Sequence, residues 1–190
     1  MQIPALMDFS LVGGTALALK YGHRLSMDID LFTHLPFKNQ EIIEALESEF
    51  GNELSIQLNK EMFGVFGFIQ NIKVDIVKHP HPLLKEPETL DGIRLYHIAD
   101  IAAMKVNAIL GRGKKKDFWD LAELLQHYTV ENIAGFYTKK FPNQQLLISI
   151  PYALTWFDDA EESEDPVSLK GQTWESVKKY IQQKVSEFLR

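Results

Sequence analysis

Hydrophobic and polar positions in the first half of the chain follow a period that changes between helix and strand. Residues 28–33 alternate, with Ile29 and Leu31 on one side and two aspartates on the other, which is typical of a strand with one buried face. Apolar residues within 38–50 recur at helical spacing instead. The pattern predicts helices over 15–21 and 38–50, and strands over 28–33, 54–60, 63–70 and 71–78.

From His97 onward the apolar positions keep the helical period. They predict helices over 97–110, 116–128, 130–140 and 144–157, and a last helix that Thr173 caps and that runs to Phe188. The acidic stretch 158–166 ends in proline and predicts an exposed loop. The predicted fold class is therefore α+β: a mixed β-sheet core over 1–96, followed by a helical portion over 97–190 that packs on it as one compact unit.

Composition narrows the function classes. A length of 190 residues suits one domain, and the absence of cysteine removes disulfides, thiolate nucleophiles and cysteine-ligated zinc. The net charge of -6 argues against a surface built to grip nucleic acid, although it allows a local basic patch. The N-terminus lacks a signal-peptide pattern, and the longest uncharged run, 141–157, is too short to span a bilayer. We expect a cytoplasmic protein with no membrane-spanning segment.

The densest chemical signal is a glycine pair followed by two closely spaced aspartates. Gly13 and Gly14 precede a predicted helix, where a backbone without Cβ atoms and the positive helix end favour phosphate. Asp28 and Asp30 share one face of their strand, and bound Mg²⁺ (or Mn²⁺) would relieve the repulsion between them. Taken alone, the glycine pair is better explained by an ordinary turn. Together with the aspartates it predicts a metal-dependent nucleoside triphosphate (NTP) site.

Nearby groups extend this prediction. Thr15, Arg24 and Ser26 offer hydroxyl and guanidinium groups that could reach the same phosphates. Asp75 interrupts the apolar strand 71–78 and would complete a two-metal site that activates an attacking hydroxyl. The alternative for Asp75 is an exposed position on an edge strand.

Two charged residues fall on apolar faces of predicted helices. Lys105 shares a face with Ile98 and Ile101, which predicts a contact with phosphate; the alternative is a side chain that reaches back to the solvent. Asp117 aligns with Leu121 and turns inward, although an aspartate in a first helical turn also complements the helix dipole.

Between these helices lie four cations in five residues, Arg112 to Lys116. Lysines oppose the dipole at a helix start, so a nucleotide or RNA backbone would explain them, whereas a solvated loop is the alternative. The acidic residues 158–165 are expected to lie away from this site. His79 and His81 alternate with prolines and predict a rigid exit from the strand rather than a metal site.

The segments GGTALALKYGHRLSMDIDLF, VDIV and IADIAAMKVNAILGRGKKKDFWDLAELL together resemble the AbiEii/AbiGii-type nucleotidyltransferase family over about residues 10–128. That family comprises toxin halves of bacterial toxin–antitoxin and phage-abortive systems. The resemblance implies a polymerase-β-like core that moves a nucleotidyl group from an NTP with Mg²⁺. It also implies these roles: phosphate binding by Gly13, Gly14 and Ser26, metal binding by Asp28 and Asp30, triphosphate contact by Lys105, the helix aspartate at Asp117, and the third carboxylate of the wider superfamily at Asp75.

The resemblance leaves the acceptor open. Family toxins can add nucleotides to tRNA 3′ ends, while related minimal enzymes adenylylate a protein, so a tRNA or protein acceptor and a cognate antitoxin are implied. This chain is shorter than many family toxins, which reduces the helical part that would hold a large acceptor. Two alternatives remain: an NTP-binding interaction module without transfer activity, and a transferase that modifies a small molecule of the antibiotic type.

Overall fold

A computed structural model describes residues 2–57 and 63–190. The strands of this part of the chain are β1 (Ser10–Leu11), β2 (Ile29–Thr33), β3 (Leu54–Ile56), β4 (Gly64–Ile69), β5 (Ile72–Lys78), β6 (Glu88–Leu90) and β7 (Ile93–Leu95). Its α-helices are α1 (Gly13–Tyr21), α2 (Asn39–Phe50), α3 (Ile98–Gly111), α4 (Lys115–Leu124), α5 (Val130–Lys140), α6 (Ile150–Leu154) and α7 (Trp174–Phe188).

The strands form one mixed sheet in the order β3-β4-β5-β2-β1-β7-β6. At its centre β2 and β5 run parallel, in a register that places Asp30 beside Asp75 and Phe32 beside Val77. β3, β4 and β5 form an antiparallel meander on one side, and β6 and β7 form a hairpin on the other. The parallel pair is what positions the site, because register partners on parallel strands project from the same face.

One hydrophobic cluster joins the sheet to the helices. Leu31 and Ile76 of the central strands are buried in the same cluster as Ile101 of α3 and Leu121 of α4. Each such side chain contributes roughly 1.5–3 kcal/mol on burial, so the two parts of the chain stabilise one another. The mixed sheet followed by helices confirms the predicted α+β class, with strands giving way to helices between Leu95 and Ile98.

The prediction for 144–157 is wrong over most of its length. The helix there covers only Ile150–Leu154, and it begins where the Ser149 hydroxyl accepts a hydrogen bond from the Tyr152 N–H. Pro151 lies in its first turn, where the missing N–H costs nothing. Residues before it, such as the fully exposed Leu147, bury no apolar face that would hold a helix. No helix in the described ranges is both long and apolar enough to cross a membrane.

The strand predictions differ from the structure mainly at short elements. The sequence does not predict three of the strands, β1, β6 and β7, because two or three residues are too few to show an alternating pattern. The predicted strand 54–60 is observed as β3, and its end, 58–60, lies outside the described residues. β4 and β5 are joined by Gln70 and Asn71, whose φ angles of 50° and 66° are those a two-residue hairpin turn requires.

Candidate functional site

A cavity of about 470 Å³ lies where the first turn of α1, the start of β2 and one face of α3 meet. Pockets of this size commonly bind small ligands. The predicted site residues that line it are Gly13, Gly14, Arg24, Ser26, Asp28, Asp30 and Lys105, joined by Arg112 and Lys116. Three others are not among its lining residues but neighbour residues that are: Thr15 contacts Ser26, Asp75 lies beside Asp30, and Asp117 binds Lys105. The fold thus gathers most of the candidates, which come from positions as far apart as 13 and 116, around one space.

The glycine pair forms the first turn of α1, which begins without a side-chain cap. Gly13 has a φ of 72°, and a Cβ atom there would lie 2.7 Å from Oδ2 of Asp30. A Cβ atom on Gly14 would lie 2.0 Å from Nη2 of Arg24. The glycines therefore leave room for two side chains of the site, and the uncapped helix end opens on the cavity as an anion site would.

We expect Gly14→Ala to lower the free energy of unfolding by about 1–3 kcal/mol, because the new methyl group would displace the guanidinium of Arg24 from its buried partner. Urea unfolding measures this change. Gly135→Ala in α5 is the matched control: its added Cβ atom meets nothing within 4 Å, so the variant should be as stable as the wild type or more so. Equal stability of the two variants would contradict the prediction.

The carboxylates at the start of β2 differ in their surroundings. Asp28 lies just before the strand, half exposed, with Oδ2 3.7 Å from Nζ of Lys116. Asp30 lies beside Asp75, and burial together with the negative charge of Asp75 raises the pKa of Asp30. One oxygen of Asp75 pairs with Lys73, whereas Oδ1 is buried without a hydrogen-bond partner in the described structure. This part of the site holds more negative charge than its neighbours neutralise.

These oxygens are the hard donors that Mg²⁺ and Mn²⁺ prefer, and the unpartnered oxygen of Asp75 and the unfavourable charge of Asp30 fit a cation. Within 2–57 and 63–190, however, no three acidic or histidine side chains converge closely enough to hold a metal ion. Asp28 faces Lys116 instead, and Asp75 faces Lys73. The metal site over Asp28, Asp30 and Asp75 stays a prediction.

Thr15 and Ser26 shape the segment that leads to the carboxylates. The Thr15 hydroxyl donates to the carbonyl oxygen of Asp28, and its Oγ1 lies 2.9 Å from Oγ of Ser26. Because the single hydroxyl hydrogen of Thr15 is already used, Ser26 is the donor in that pair. Thr15 therefore holds the backbone beneath Asp28, while Ser26 lines the cavity and would have to break this bond to donate to a phosphate.

A buried ionic network forms the floor of the cavity, and its centre is Asp120, which the sequence analysis missed. Oδ1 of Asp120 accepts from Nε2 of His23 at 2.8 Å and from Nε of Arg24 at 2.7 Å. Its Oδ2 accepts from Nη2 of Arg24 at 2.9 Å and lies 2.7 Å from Nζ of Lys105. Lys105 also donates to Asp117 at 3.1 Å. The anion that the inward-facing Lys105 requires is thus supplied by two aspartates.

Attraction outweighs desolvation throughout this network. Burial by itself would raise the pKa of Asp117 and Asp120, but Lys105 and the neighbouring arginines hold both below their usual value. Burial would lower the pKa of Lys105, yet Asp120 and Asp117 raise it above its usual value. Within this network Arg24, Lys105 and Arg112 carry three positive charges against two negative ones, and Lys105 and Arg112 also attract the nearby carboxylate of Asp30.

The signal for Asp120 was present in the sequence. Asp117 and Asp120 are three residues apart in a helix whose other residues from 118 to 122 are apolar, and residues at that spacing share a helix face. The sequence also does not reveal that His79 belongs to the cavity. It follows the strand as expected, and it lines the cavity together with Phe32 and Phe141.

The acidic stretch lies beside the site, so the expectation that it lies away from it is wrong. Nζ of Lys115 is 2.8 Å from Oδ1 of Asp165, and the Lys115 N–H donates to Oγ of Ser163. The Leu25 N–H donates to the carbonyl oxygen of Val167. Together with lysines of the basic run, this stretch lines a second cavity of about 650 Å³. The physical reason is long-range attraction between the basic run and acids distant in sequence.

Comparisons with known proteins concern the family and the fold of the chain. The model of a family described as nucleotidyl transferase AbiEii toxin, type IV toxin–antitoxin system, matches residues 4–143. An uncharacterized protein of Aquifex aeolicus (strain VF5), aq_aa25, is 34% identical over 190 residues, which covers 96% of this chain and 88% of the relative.

Two solved structures share the fold. An H. pylori protein assigned as a nucleotidyltransferase superposes with a TM-score of 0.61 at 20% identity, covering 98% of this chain and 91% of its own. MenT4, the nucleotidyltransferase toxin Rv2826c of Mycobacterium tuberculosis H37Rv, superposes with a TM-score of 0.59 at 14% identity, covering 95% and 76%. At these identities the likeness concerns the fold of the two chains.

Proposed function

Because the chain belongs to the AbiEii nucleotidyltransferase toxin family, we propose that it transfers a nucleotidyl group from an NTP to a hydroxyl of a tRNA or protein acceptor, with Mg²⁺ or Mn²⁺ as cofactor. One observation carries this proposal. A single cavity joins the carboxylates Asp28 and Asp30 to an uncapped helix start and to the cations Arg112 and Lys116. Phosphates and a metal need these groups next to one another.

The triphosphate would lie along the helix start and the basic residues. Gly13 and Gly14 let its oxygens approach the backbone N–H groups. The side chains of Arg112 and Lys116 are 53% and 40% exposed, so phosphate oxygens could reach both. Arg112 donates to Asp117 at 3.1 and 3.2 Å, and Lys116 lies 3.7 Å from Asp28, so each would share its charge between a carboxylate and the phosphates. Lys105 and Arg24 contribute positive potential from the floor while their aspartate partners hold them in place.

In the reaction, the acceptor hydroxyl oxygen would attack the α-phosphorus, and the bond from that phosphorus to the β-phosphate oxygen would break. Pyrophosphate would leave, and the hydroxyl proton would pass to a carboxylate of the site. A divalent cation held by Asp28 and Asp30, with Asp75 as a third donor, would neutralise phosphate charge and activate the hydroxyl. The residues of the chain then align the acceptor and stabilise the departing pyrophosphate.

The biological setting follows from the family. We propose that the protein is the toxin component of a toxin–antitoxin or abortive-infection system, that it acts in the cytoplasm, and that a cognate antitoxin protein restrains it. The cations that line the cavity suit the phosphates of an NTP and of an acceptor end, while the net charge of -6 disfavours broad capture of RNA.

The test is transfer of label from each α-labelled NTP, with Mg²⁺ or Mn²⁺, to total tRNA, to cell protein and to small hydroxylated antibiotics. We expect label on tRNA or on one protein. The Asp28→Ala/Asp30→Ala double variant and the addition of EDTA should abolish it. Glu49→Gln, an exposed carboxylate on α2, is the matched control and should transfer label like the wild type.

Each other outcome decides against the proposal. Label on small molecules alone would favour the antibiotic-modifying alternative. Tight NTP binding without release of pyrophosphate would favour a binding module. Undiminished transfer by the double variant would place the chemistry outside this cavity.

A further inference from the structure

The cavity has two chemically different ends. Carboxylates and cations surround one end, whereas the rings of Phe32, His79 and Phe141 line the other. The change from charged to aromatic side chains follows β2, because Asp30 and Phe32 are two residues apart and project from the same face of the strand. Moving along β2 by one such step leads from a carboxylate to an aromatic ring.

The side chains of α3 that line the cavity change from apolar to charged in the same direction. Ile101 lines the cavity near the start of α3, Met104 lines it in the middle of the helix, and Arg112, directly after the last residue, lines it about 16 Å from Ile101 along the helix axis. Lys116 lies next to Asp28, which places the basic end of this wall at the acidic end of β2. At the other end, Nζ of Lys140, the residue before Phe141, is 2.6 Å from Oδ1 of Asp100 in the first turn of α3.

The aromatic end is a fixed wall. The rings of Phe32 and His79 are stacked, with centroids 5.6 Å apart and planes at 29°, and Phe141 meets His79 edge-on at 6.2 Å. The His79 N–H of the backbone donates to the carbonyl oxygen of Thr33 at 2.8 Å. Lys140, which is fully buried, donates to the carbonyl oxygen of Pro82 and so ties this wall to the segment after His79.

His79 has unused hydrogen-bonding capacity. Its Nε2 is buried and has no hydrogen-bond partner in the described part of the chain. Burial, assisted by the charge of Lys140, lowers the pKa of His79 to about 4, so the ring is neutral near pH 7. A neutral imidazole presents one donor and one acceptor. A ring present only for packing would leave this polar atom unsatisfied at a cost. A ligand with a polar edge would satisfy it after rotation of the ring toward the cavity.

We propose that Phe32, His79 and Phe141 form the nucleobase subsite of the cavity, and that His79 contacts the polar edge of the base. This inference rests on the proposed function, since it assigns the end of the cavity opposite the triphosphate. A planar heterocycle with apolar faces and a hydrogen-bonding edge matches a wall of rings, Met104 and one unsatisfied imidazole nitrogen. Asn107, which also lines the cavity, is placed to offer an amide to the base or the ribose.

Equilibrium binding of the four NTPs and of inorganic tripolyphosphate, each with Mg²⁺, tests the proposal on the full chain. The wild type should bind at least one NTP about tenfold more tightly than tripolyphosphate and should discriminate between bases by about tenfold or more. His79→Phe keeps a ring and removes the nitrogens, so discrimination should fall to within about threefold while tripolyphosphate affinity is unchanged. His34→Phe, an exposed position outside the cavity, should behave like the wild type.

A second variant protects the test against misfolding. Phe32→Leu removes one ring of the wall and should weaken every NTP by about tenfold without changing tripolyphosphate affinity, which reports an intact phosphate end. Wild-type protein that binds NTPs no more tightly than tripolyphosphate would overturn the proposal, as would unchanged base discrimination in His79→Phe. Binding and label transfer are measured separately, so the two proposals can fail separately. Discrimination between bases without label transfer would support the nucleobase subsite and reject the transferase. Label transfer that these variants do not change would support the transferase and reject the subsite.

Discussion

Asp120→Ala should lower the free energy of unfolding by about 3–5 kcal/mol, the cost expected when one partner of a buried ion pair is removed. The carboxylate of Asp120 is fully buried and holds three side chains, His23, Arg24 and Lys105. Its loss would leave Arg24 without a carboxylate partner and Lys105 with only Asp117. Urea unfolding followed by two independent probes measures the change and tests whether it is two-state.

Asp165→Ala is the matched control, because Asp165 also pairs with a lysine but is 59% exposed at the surface. Asp165→Ala should lower the free energy of unfolding by no more than about 1 kcal/mol. The pH profile adds a second check. The pKa of Asp117 and of Asp120 is lowered in the folded state, so their stabilisation is present above the ordinary carboxylate pKa of about 3.9 and is lost as the pH falls further. In Asp120→Ala the free energy of unfolding should therefore fall less steeply at acid pH than in the wild type. Equal losses of unfolding free energy in Asp120→Ala and Asp165→Ala would contradict the prediction.

Asp30→Asn should reduce nucleotidyl transfer by about 10²–10³-fold or more while making the protein more stable by about 0.5–2 kcal/mol. Burial and the charge of Asp75 raise the pKa of Asp30, so the ionised carboxylate is unfavourable in the fold at neutral pH. An amide of the same shape removes that cost but cannot hold a cation as a carboxylate does. Label transfer and thermal unfolding in EDTA measure the two effects.

The stability gain has a defined pH dependence. A group whose pKa is raised by folding favours the folded state at acid pH, and that contribution is lost as the pH rises through the folded pKa. The advantage of Asp30→Asn should therefore appear at neutral pH and disappear on acidification. Added Mg²⁺ should stabilise the wild type and not the variant. Asp8→Asn, an exposed control, should change neither quantity; equal stabilisation of wild type and Asp30→Asn by Mg²⁺ would disprove the metal role.

The spacing of residues within one strand or one helix predicts which side chains of that element face the site. Asp28 and Asp30 line one cavity because residues two apart share a strand face, and Lys105 and Asp117 turn inward because helical spacing places them among apolar neighbours. The sheet core and the helical portion were predicted for the same reason, whereas β1, with two residues, shows no usable period.

Long-range partners were not predictable from one sequence. The position of Arg24 before the paired aspartates indicates a phosphate ligand, but its guanidinium is bound by Asp120, 96 residues away. The same holds for Lys115 and Asp165, 50 residues apart, which bring an acidic stretch to a basic one. No periodicity in the chain records such pairs, because attraction between charges acts through space and not along the sequence.

The ionic network around Asp120 also limits how the cavity can move. Its members come from the segment before β2, from α3 and from α4, so they fasten the sheet part to the helical part directly beneath the ligand space. A hinge that swung these parts apart would have to separate buried opposite charges, which is far more costly than rotating an exposed side chain. We therefore expect the cleft to be pre-formed, so that a ligand can enter it without rigid-body closure of the two parts.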